Sequence, residues 1–334
     1  MNILAIRFAR LGDVILLLPA LSSLKRALPD ARLTFLTGHR CAPIARLCPA
    51  INEVLAVDRI AMRDGPLWKA LSDMTRLVRD VRKRRFDLVI DFHSFRETNL
   101  LTWLTGAPVR MGMKRYKAPY WKFCFNRPPV PEVKSLHVSA MFEKVVEATI
   151  PLLAAAPPLR GGEWLAIPDE LVDWANRIGR NMSRVAFYID APVTERIWPA
   201  ERFGGVADFV IEQFGATPLI ISSVKGHDLI KRVQAASRHR DQLAVFSDIT
   251  IPQLAALIAS SRLFISNDTG PMHVGPGVGV PTLGLFSLGY PEHFRPIGPK
   301  DMFLRGNPIE KIEVKDVIAT ANKMWITGGP NLRC

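Results

Sequence analysis

Long apolar runs are absent from this sequence, and their absence argues against one large class of protein. No apolar stretch reaches the roughly 18–20 residues that a helix needs to span a bilayer. The apolar amino-terminal segment is interrupted by Arg7, Arg10 and Asp13, and no small-residue cleavage site follows it. A secretory signal peptide is therefore not expected, and the predicted location is cytoplasmic.

Cysteine is also scarce. The four cysteines form neither a C-x-x-C pair nor a set flanked by histidine, and they stand at Cys41, Cys48, Cys124 and Cys334. This pattern disfavours both a zinc site and a disulfide framework. In a cytoplasmic protein we expect the thiols to be reduced and mostly packed. No metal and no cofactor are expected.

Acidic residues are too few to balance the basic ones in the first half of the chain. Residues 1–167 contain 26 Lys and Arg against 14 Asp and Glu, whereas residues 168–334 contain 18 against 17. A basic half favours a polyanionic partner, such as nucleic acid, an acidic membrane surface or a phosphorylated substrate. A soluble, high-pI surface without such a partner explains the charge equally well.

Apolar strand-like runs alternate with helical stretches along the chain, which is typical of parallel sheets with crossover helices. Strands are predicted at Asn2–Phe8, Arg32–Thr37, Val54–Val57, Asp87–Asp91, Val109–Met111, Arg184–Ile189, Thr217–Ser222, Leu243–Phe246, Leu263–Ser266 and Thr282–Phe286. Helices are predicted at Val14–Ala27, Leu67–Arg85, Ser94–Leu104, Glu201–Phe214, Asp228–Ser237, Ile251–Ser260 and Val314–Trp325. The proline- and glycine-containing segment Pro151–Pro168 has the composition of a linker.

The two series predict an α/β protein with two doubly wound domains that face a cleft. The expected domains are residues 1–167 and residues 168–312. Residues 313–334 are expected to form a C-terminal helix and tail, and packing of this segment back on the first domain is left open.

The turn after the first predicted strand is the first candidate site. Phe8–Asp13 has the pattern of a strand end, a glycine turn and a helix start, and ligands of open α/β sheets bind beyond the carboxyl ends of the strands. Asp13 then has two interpretations: a helix N-cap, or a general base that accepts a proton from a hydroxyl. The turn contains a single glycine, Gly12, so it is not a dinucleotide-binding fingerprint.

The second candidate is the segment Phe264–His273, where a predicted strand leads into small polar residues and then a helix that Pro271 is placed to start. The backbone N–H groups of Thr269 and Gly270 would form an anion site suited to a diphosphate, although an ordinary capped turn has the same composition. Arg196 is of the right type to hold a phosphate with two hydrogen bonds, but a lone loop arginine is more often merely solvated.

Three segments in this order resemble glycosyltransferase family 9, the lipopolysaccharide heptosyltransferases of Gram-negative bacteria: ILAIRFARLGDVILLLPALSSLKRALP, RIWP, and SNDTGPMHV followed by GVPTLGLF. The resemblance spans almost the whole chain, and NDTGPMH is its most specific element. It implies the GT-B fold, with an acceptor-binding and an ADP-heptose-binding Rossmann-like domain. The implied reaction is an inverting, metal-independent transfer of heptose to a hydroxyl of the lipopolysaccharide inner core.

The resemblance also implies roles for individual residues. Asp13 matches the general base on the acceptor hydroxyl. The residues that match donor-binding positions are Arg196, Asp268, Thr269, Gly270, His273 and, through a loose alignment, Asp228. Acceptor binding is assigned to the residues that flank the ends of two predicted strands, Gly12, His93, Ser94 and Arg96. The basic first half suits an acceptor rich in carboxylates and phosphates, and it favours a peripheral contact with the inner face of the inner membrane.

Three departures from the family pattern keep alternatives open. Asp190 stands in place of a His-Pro-Gly-type turn, Ser222 and Ser223 replace a glycine pair, and Gly275–Gly277 includes a proline where the family is alanine-rich. The proline predicts a short or kinked helix, and an aspartate near the donor phosphates would repel them. The alternatives are a transferase of the same fold with another nucleotide sugar or acceptor, and a non-catalytic nucleotide- or sugar-binding relative. Nucleic-acid binding is not expected, because the basic half lacks a recognisable binding motif.

Overall fold

Residues 1–58, 64–149, 164–178 and 183–328 are described by the computed structural model. The chain divides into two units, Met1–Leu159 and Arg160–Cys334. Most of the segment predicted as a linker lies outside the described residues. Its last part belongs to the second unit, where the Leu165 amide donates to the Gly277 carbonyl at 3.2 Å.

A six-stranded parallel sheet forms the core of the first unit, in the order β3-β2-β1-β4-β5-β6. The strands are β1 (Asn2–Arg7), β2 (Arg32–Gly38), β3 (Glu53–Val57), β4 (Leu88–Asp91), β5 (Val109–Lys114) and β6 (Val130–Pro131). The helices are α1 (Leu11–Ile15), α2 (Leu18–Ala27), α3 (Ala42–Ala45), α4 (Leu67–Lys83), α5 (Arg96–Leu104) and α6 (Val138–Thr149). The central strand β1 is apolar and buried along most of its length because it has a strand on each side and helices on both faces.

The prediction of a single helix over Val14–Ala27 is wrong. The structure has two helices there, α1 ending at Ile15 and α2 beginning at Leu18. Pro19 explains the break, because it has no N–H and its ring clashes with the carbonyl four residues earlier, at Ile15. Proline is tolerated in a first helical turn, which is where α2 places it.

The second unit repeats the same architecture with the strand order β12-β11-β10-β7-β8-β9, again all parallel. Its strands are β7 (Arg184–Tyr188), β8 (Thr217–Ile221), β9 (Ala244–Phe246), β10 (Leu263–Asn267), β11 (Thr282–Phe286) and β12 (Met302–Arg305). Its helices are α7 (Asp169–Asn176), α8 (Ala200–Phe214), α9 (His227–Ala236), α10 (Ile251–Ala259), α11 (Val274–Gly277), α12 (Pro291–Phe294) and α13 (Val314–Gly328).

The carboxyl-terminal helix α13 is an integral part of the second unit. Val317, Ala321 and Met324 lie in its hydrophobic core beside Trp198. The Trp198 indole N–H donates to the Ile312 carbonyl at 2.9 Å, just before α13 begins. This contact joins the helix to the loop that follows β7.

Both sheets have the same topology, in which the first strand of each unit lies between its second and fourth strands. After β1 the chain continues toward one edge of the sheet, and after β4 it continues toward the other edge. The connections after β7 and β10 also run toward opposite edges of their sheet. Ligands of open α/β sheets bind in the crevice beyond the strand ends at such a reversal. The topology therefore predicts one ligand-binding position in each unit.

Three of the four cysteines fall within the described residues, and all three are free and buried: Cys41, Cys48 and Cys124. Burial raises the pKa of the Cys41 thiol to about 11. These thiols are therefore protonated at neutral pH, as expected for packed cysteines. Cys334 lies outside the described residues.

Asp301 should make the stability of the second unit depend on pH. Its carboxylate accepts hydrogen bonds from the amides of Thr282, at 2.8 Å, and Gly298, and burial raises its pKa to about 7. An unfolded aspartate has a pKa of about 3.9, so the folded state binds the proton more tightly. This contribution to stability is complete below about pH 4 and is lost as the pH rises through about 7. We expect the thermal unfolding midpoint to fall between pH 5.5 and pH 8.

The variant Asp301→Asn, which is neutral throughout, should remove that part of the pH dependence. Asp241→Asn is the matched control, because the Asp241 side chain is exposed. Equal slopes of midpoint against pH in wild type and Asp301→Asn would contradict the assignment.

Candidate active site

In the first unit, Asp13 lies just beyond the carboxyl end of β1. It is the third residue of α1, its side chain is 29% exposed, and its Oδ1 accepts a hydrogen bond from Arg7 Nη2 at 3.0 Å. The interpretation of Asp13 as the N-cap is wrong, because Arg10 holds that position and no side chain caps the helix. Asp13 instead presents a partly exposed carboxylate in an ion pair, which is better suited to accepting a proton than to capping a helix.

Arg7 is the residue that holds Asp13 in place, and the sequence analysis did not assign it a role. It is 3% exposed, its Nη1 donates to the Phe92 carbonyl at 2.6 Å, and its guanidinium lies 4.9 Å from the centre of the Phe142 ring. Burial lowers the pKa of Arg7, but an arginine remains charged at neutral pH. Arg7 thereby links the ends of β1 and β4 to Asp13. The sequence does contain a signal for Arg7, because it is a basic residue at the end of an otherwise apolar strand.

Asp91 organises the loop that follows β4. This fully buried carboxylate accepts hydrogen bonds from the amides of His93 at 2.9 Å and Ser94 at 2.8 Å, and from Asn99 Nδ2 at 3.0 Å. Burial raises the pKa of Asp91, and the hydrogen bonds oppose that rise. Ser94 has a φ of +56°, and the bonds to Asp91 hold it in that unusual conformation. Asp91 was not predicted as a site residue, although the apolar run LVID ends in this aspartate.

The predicted acceptor-binding residues lie in this region in different settings. His93 is buried between the rings of Phe8 and Phe95, with ring centres 5.8 and 4.5 Å away. The buried Ser94 hydroxyl donates to the Met113 carbonyl, so it stabilises the loop. Gly12 is buried within α1, and Arg96 is the exposed first residue of α5.

Arg115 adds a positive charge beside these residues. Its Nε donates to the His93 carbonyl at 3.0 Å, and its guanidinium lies 4.9 Å from the centre of the Phe95 ring. The end of β4 is therefore flanked by a fixed cation as well as by the Arg7–Asp13 pair. Such a site suits an anionic or polyhydroxylated ligand.

In the second unit, Arg196 and Asp268 form an ion pair at the ends of β7 and β10. Arg196 Nη1 lies 3.1 Å from Asp268 Oδ2, and the Asp268 side chain is buried while that of Arg196 is about one-third exposed. Burial raises the pKa of Asp268, and the Arg196 charge opposes the rise. Gly289 packs against this carboxylate, and a side chain there would collide with it.

Asn267 connects the same two strand ends, and the sequence analysis assigned it no role. Its Nδ2 donates to the Ile189 carbonyl at 2.8 Å, and its Oδ1 accepts from the Trp198 amide at 3.1 Å. Because Trp198 belongs to the RIWP segment, this buried amide fixes Arg196 relative to the end of β10. The position of Arg196 is thus set by the fold.

The segment after β10 begins with a tight 3-10 turn. Gly270–His273 forms that turn, Pro271 lies in its first residues, and α11 follows with only four residues. The predicted shortness of the helix is confirmed, whereas Pro271 lies in the 3-10 turn and the helix itself begins at Val274. Thr269 and Gly270 are half-buried, whereas His273 is buried. So short a helix has little dipole, and an anion bound here needs a cation such as Arg196.

Asp190, which follows β7, and Asp228, which lies in α9, have different surroundings. The Asp190 carboxylate accepts hydrogen bonds from the Ser223 hydroxyl and from the Ala191 amide at 2.8 Å. The Asp190 and Ser223 departures from the family pattern are therefore partners of each other. Asp228 is the second residue of α9, and its side chain is 91% exposed with Oδ1 3.5 Å from Lys231 Nζ.

Comparison with known proteins decides the family. The profile of glycosyltransferase family 9 (heptosyltransferase) matches residues 74–322, about three-quarters of the chain. The chain belongs to glycosyltransferase family 9. It is therefore a member of a glycosyltransferase family whose profile is described as that of the heptosyltransferases, and the resemblance noted in the sequence is confirmed.

Individual relatives of family 9 cover almost the whole chain at low identity. Lipopolysaccharide heptosyltransferase 3 of Escherichia coli is 23% identical over 286 residues, which cover 82% of this chain and 80% of the relative. A family 9 glycosyltransferase structure from Veillonella parvula superposes with a TM-score of 0.83 at 23% identity, over 98% and 97% of the two chains. The structure of E. coli ADP-heptose lps heptosyltransferase II gives a TM-score of 0.80 at 17% identity, over 99% and 100%. The predicted α/β fold of the GT-B type, with two Rossmann-like domains, is confirmed.

Proposed function

We propose that this protein transfers heptose from ADP-heptose to a hydroxyl of the lipopolysaccharide inner core, with inversion at the anomeric carbon. The observation that carries the proposal is the Arg7–Asp13 pair, which fixes a partly exposed carboxylate at the strand reversal of the first unit. The names of the relatives, heptosyltransferases that act on lipopolysaccharide, supply the donor and acceptor classes.

The proposed chemistry is a direct displacement. Asp13 accepts the proton of the acceptor hydroxyl while that oxygen forms a bond to the anomeric carbon of the donor sugar. The bond from that carbon to the diphosphate oxygen breaks on the opposite face, and ADP leaves with the electron pair. The two bond changes on opposite faces account for inversion. The proposed mechanism requires no metal ion.

Arg196 is proposed to bind the departing diphosphate. Within the described part of the chain, its Nε is buried and has no hydrogen-bond partner, and its Nη1 is held by Asp268. A guanidinium with an unused N–H beside a turn of backbone amides suits a phosphate, which accepts several hydrogen bonds. Thr269, Gly270 and His273 complete the proposed donor site, and Asp228 is assigned to the adenosine ribose.

The first unit is proposed to bind the acceptor, through Gly12, His93, Ser94 and Arg96. Its positive charge suits the carboxylates and phosphates of the inner core. Ser94 contributes by shaping the loop, and Arg96 is free to reach a ligand from the start of α5. We place the reaction in the cytoplasm, at the inner face of the inner membrane.

The main alternative is that the protein uses a different nucleotide sugar as donor, and the observation that favours it is the Asp190–Ser223 contact. A carboxylate at the end of β7 disfavours a nearby diphosphate and favours sugar or ribose hydroxyls. In this alternative, the Asp190 carboxylate would select a donor whose diphosphate lies farther from the end of β7. Non-catalytic binding of the nucleotide sugar is the remaining possibility.

The first experiment is thermal unfolding of the purified protein with ADP, GDP, UDP and NAD in turn. A ligand at about 100 times its dissociation constant stabilises a protein by roughly 2.7 kcal/mol. We expect ADP alone to raise the unfolding midpoint and Arg196→Lys to weaken that effect, since lysine cannot donate two parallel hydrogen bonds. A transfer assay with ADP-heptose follows. Stabilisation by UDP or GDP with no response to ADP would reject the ADP-sugar donor.

A further inference from the structure

An exposed group of aromatic and aliphatic side chains stands out on the first unit. It consists of the exposed Leu100, Trp103 and Phe123 and the half-buried Trp121, which together we call the aromatic face. Leu100, Trp103 and Phe123 are 37%, 47% and 63% exposed. The Trp103 and Phe123 ring centres are 6.2 Å apart, and the Trp121 ring lies nearly parallel to that of Phe123 at 5.9 Å. The three rings therefore form one continuous apolar surface.

This face is built on ordered backbone. Leu100 and Trp103 lie on the outer side of α5, in line with Arg96 one turn earlier. The Trp121 amide donates to Asn99 Oδ1 at 3.0 Å, and the Cys124 amide donates to the Trp121 carbonyl at 2.9 Å. The exposed rings are thus held in place at the cost of remaining in contact with water, which indicates that they serve a partner.

The charge around the aromatic face is almost all of one sign. Residues 96–134 contain eight Lys and Arg but only two acidic residues, Glu97 and Glu132. The exposed basic residues are Arg96, Lys114, Lys117, Lys122, Arg127 and Lys134. Glu132 is engaged by the Tyr116 amide at 3.0 Å, and Lys134 lies 3.8 Å above the Tyr116 ring. Aromatic rings beside many cations match the interface of an anionic bilayer.

We propose that the aromatic face docks the first unit on the surface of an anionic lipid bilayer. The rings of Trp103, Trp121 and Phe123 would enter the headgroup region, and the surrounding lysines and arginines would pair with lipid phosphates. Among the described residues, no helix is both long and apolar enough to span a bilayer. The proposal rests on the proposed function for the membrane location alone, and its test does not require sugar transfer.

A second copy of the chain fits this surface less well. Two-fold association through the same face would bring two sets of like charges together, which opposes binding. An anionic bilayer offers complementary charge and an apolar layer below it. The charge complementarity therefore favours lipid over self-association.

Co-sedimentation with vesicles at 150 mM salt tests the proposal. We expect at least tenfold tighter binding to vesicles of phosphatidylcholine with one-quarter phosphatidylglycerol than to phosphatidylcholine alone. Trp103→Ser combined with Phe123→Ser should weaken binding to the anionic vesicles at least tenfold, and Lys117→Glu combined with Lys122→Glu should do the same. Ile326→Ser is the matched control, because Ile326 is 72% exposed on α13 of the second unit.

Two further measurements distinguish lipid docking from donor binding, misfolding and self-association. The ADP-dependent rise in unfolding midpoint should be the same in the aromatic double variant as in wild type, which separates lipid docking from donor binding and from misfolding. Sedimentation velocity should show no change in oligomeric state. Equal binding to neutral and anionic vesicles, or a dimer that dissociates in the double variant without any lipid binding, would overturn the proposal.

Discussion

Asp13→Asn is expected to lower the turnover number for sugar transfer by about 10²–10⁴-fold, the usual contribution of a general base. Asparagine has nearly the same shape, and its side-chain oxygen can accept the hydrogen bond that Arg7 Nη2 donates to Asp13 Oδ1 at 3.0 Å in the wild type. It cannot accept the proton of the acceptor hydroxyl. The loss should therefore appear in turnover, while ADP still raises the unfolding midpoint as it does in wild type. Initial rates with saturating donor provide the measurement.

Asp30→Asn is the control for this variant, since Asp30 is an exposed carboxylate of the same unit. It removes the same negative charge from the first unit and should leave turnover within about twofold. If Asp13→Asn transferred sugar at the wild-type rate, the assignment of the base would be wrong. A fall in both turnover and unfolding midpoint would instead assign Asp13 to the stability of the turn.

Gly275→Ala is expected to destabilise the second unit by about 3 kcal/mol, the upper part of the range for an overpacked core. A methyl group at this position would collide with the Thr282 hydroxyl and would lie 2.9 Å from Phe264 Cδ1. Both neighbours belong to central strands of the sheet and have little room to move. Relief requires a shift of α11 and of the turn before it, so ADP stabilisation should fall as well. Denaturant unfolding measures the first effect.

Gly205→Ala supplies the control for that change. A methyl group there meets only Val314 Cγ1 at 3.8 Å, within the interior of α8. Replacing a helical glycine by alanine usually stabilises a protein by about 0.5–1 kcal/mol. Thr282→Ala should partly restore the stability of Gly275→Ala, because it removes the colliding hydroxyl. Additive effects of the two substitutions would show that they do not share this contact.

The sequence predicted the central strands and most long helices because their apolar runs are buried on both faces or along one stripe. It did not predict β6 or β12, which lie at sheet edges, or the helices α3, α6, α7 and α12. β6 contains only two residues, one of them proline, so it leaves almost no periodic signal. The break between α1 and α2 was missed because the apolar pattern continues through Pro19.

The sequence allowed candidate site residues to be named, but it did not allow their contact partners to be predicted. Asp13 and Arg196 were named from their positions after strand ends, and Asp268 was named from the resemblance to family 9. Their actual partners depend on which strand ends are neighbours, and that information lies far away in the sequence. Arg7 reaches Phe92 across 85 positions, and Arg196 reaches Asp268 in a distant loop. No local pattern encodes such pairs.

The order of strands in the first sheet has a consequence for biosynthesis. β1 is made first and lies in the centre, yet one of its two neighbours, β4, follows some 85 residues later, as the span from Arg7 to Phe92 shows. At about 5–20 residues per second, that interval lasts roughly 4–17 s on the ribosome. During it, one edge of an apolar strand has no partner and offers its backbone to other nascent chains. Arg7 cannot reach the Phe92 carbonyl until the interval ends, so this support of Asp13 forms only after more than half of the unit has been made.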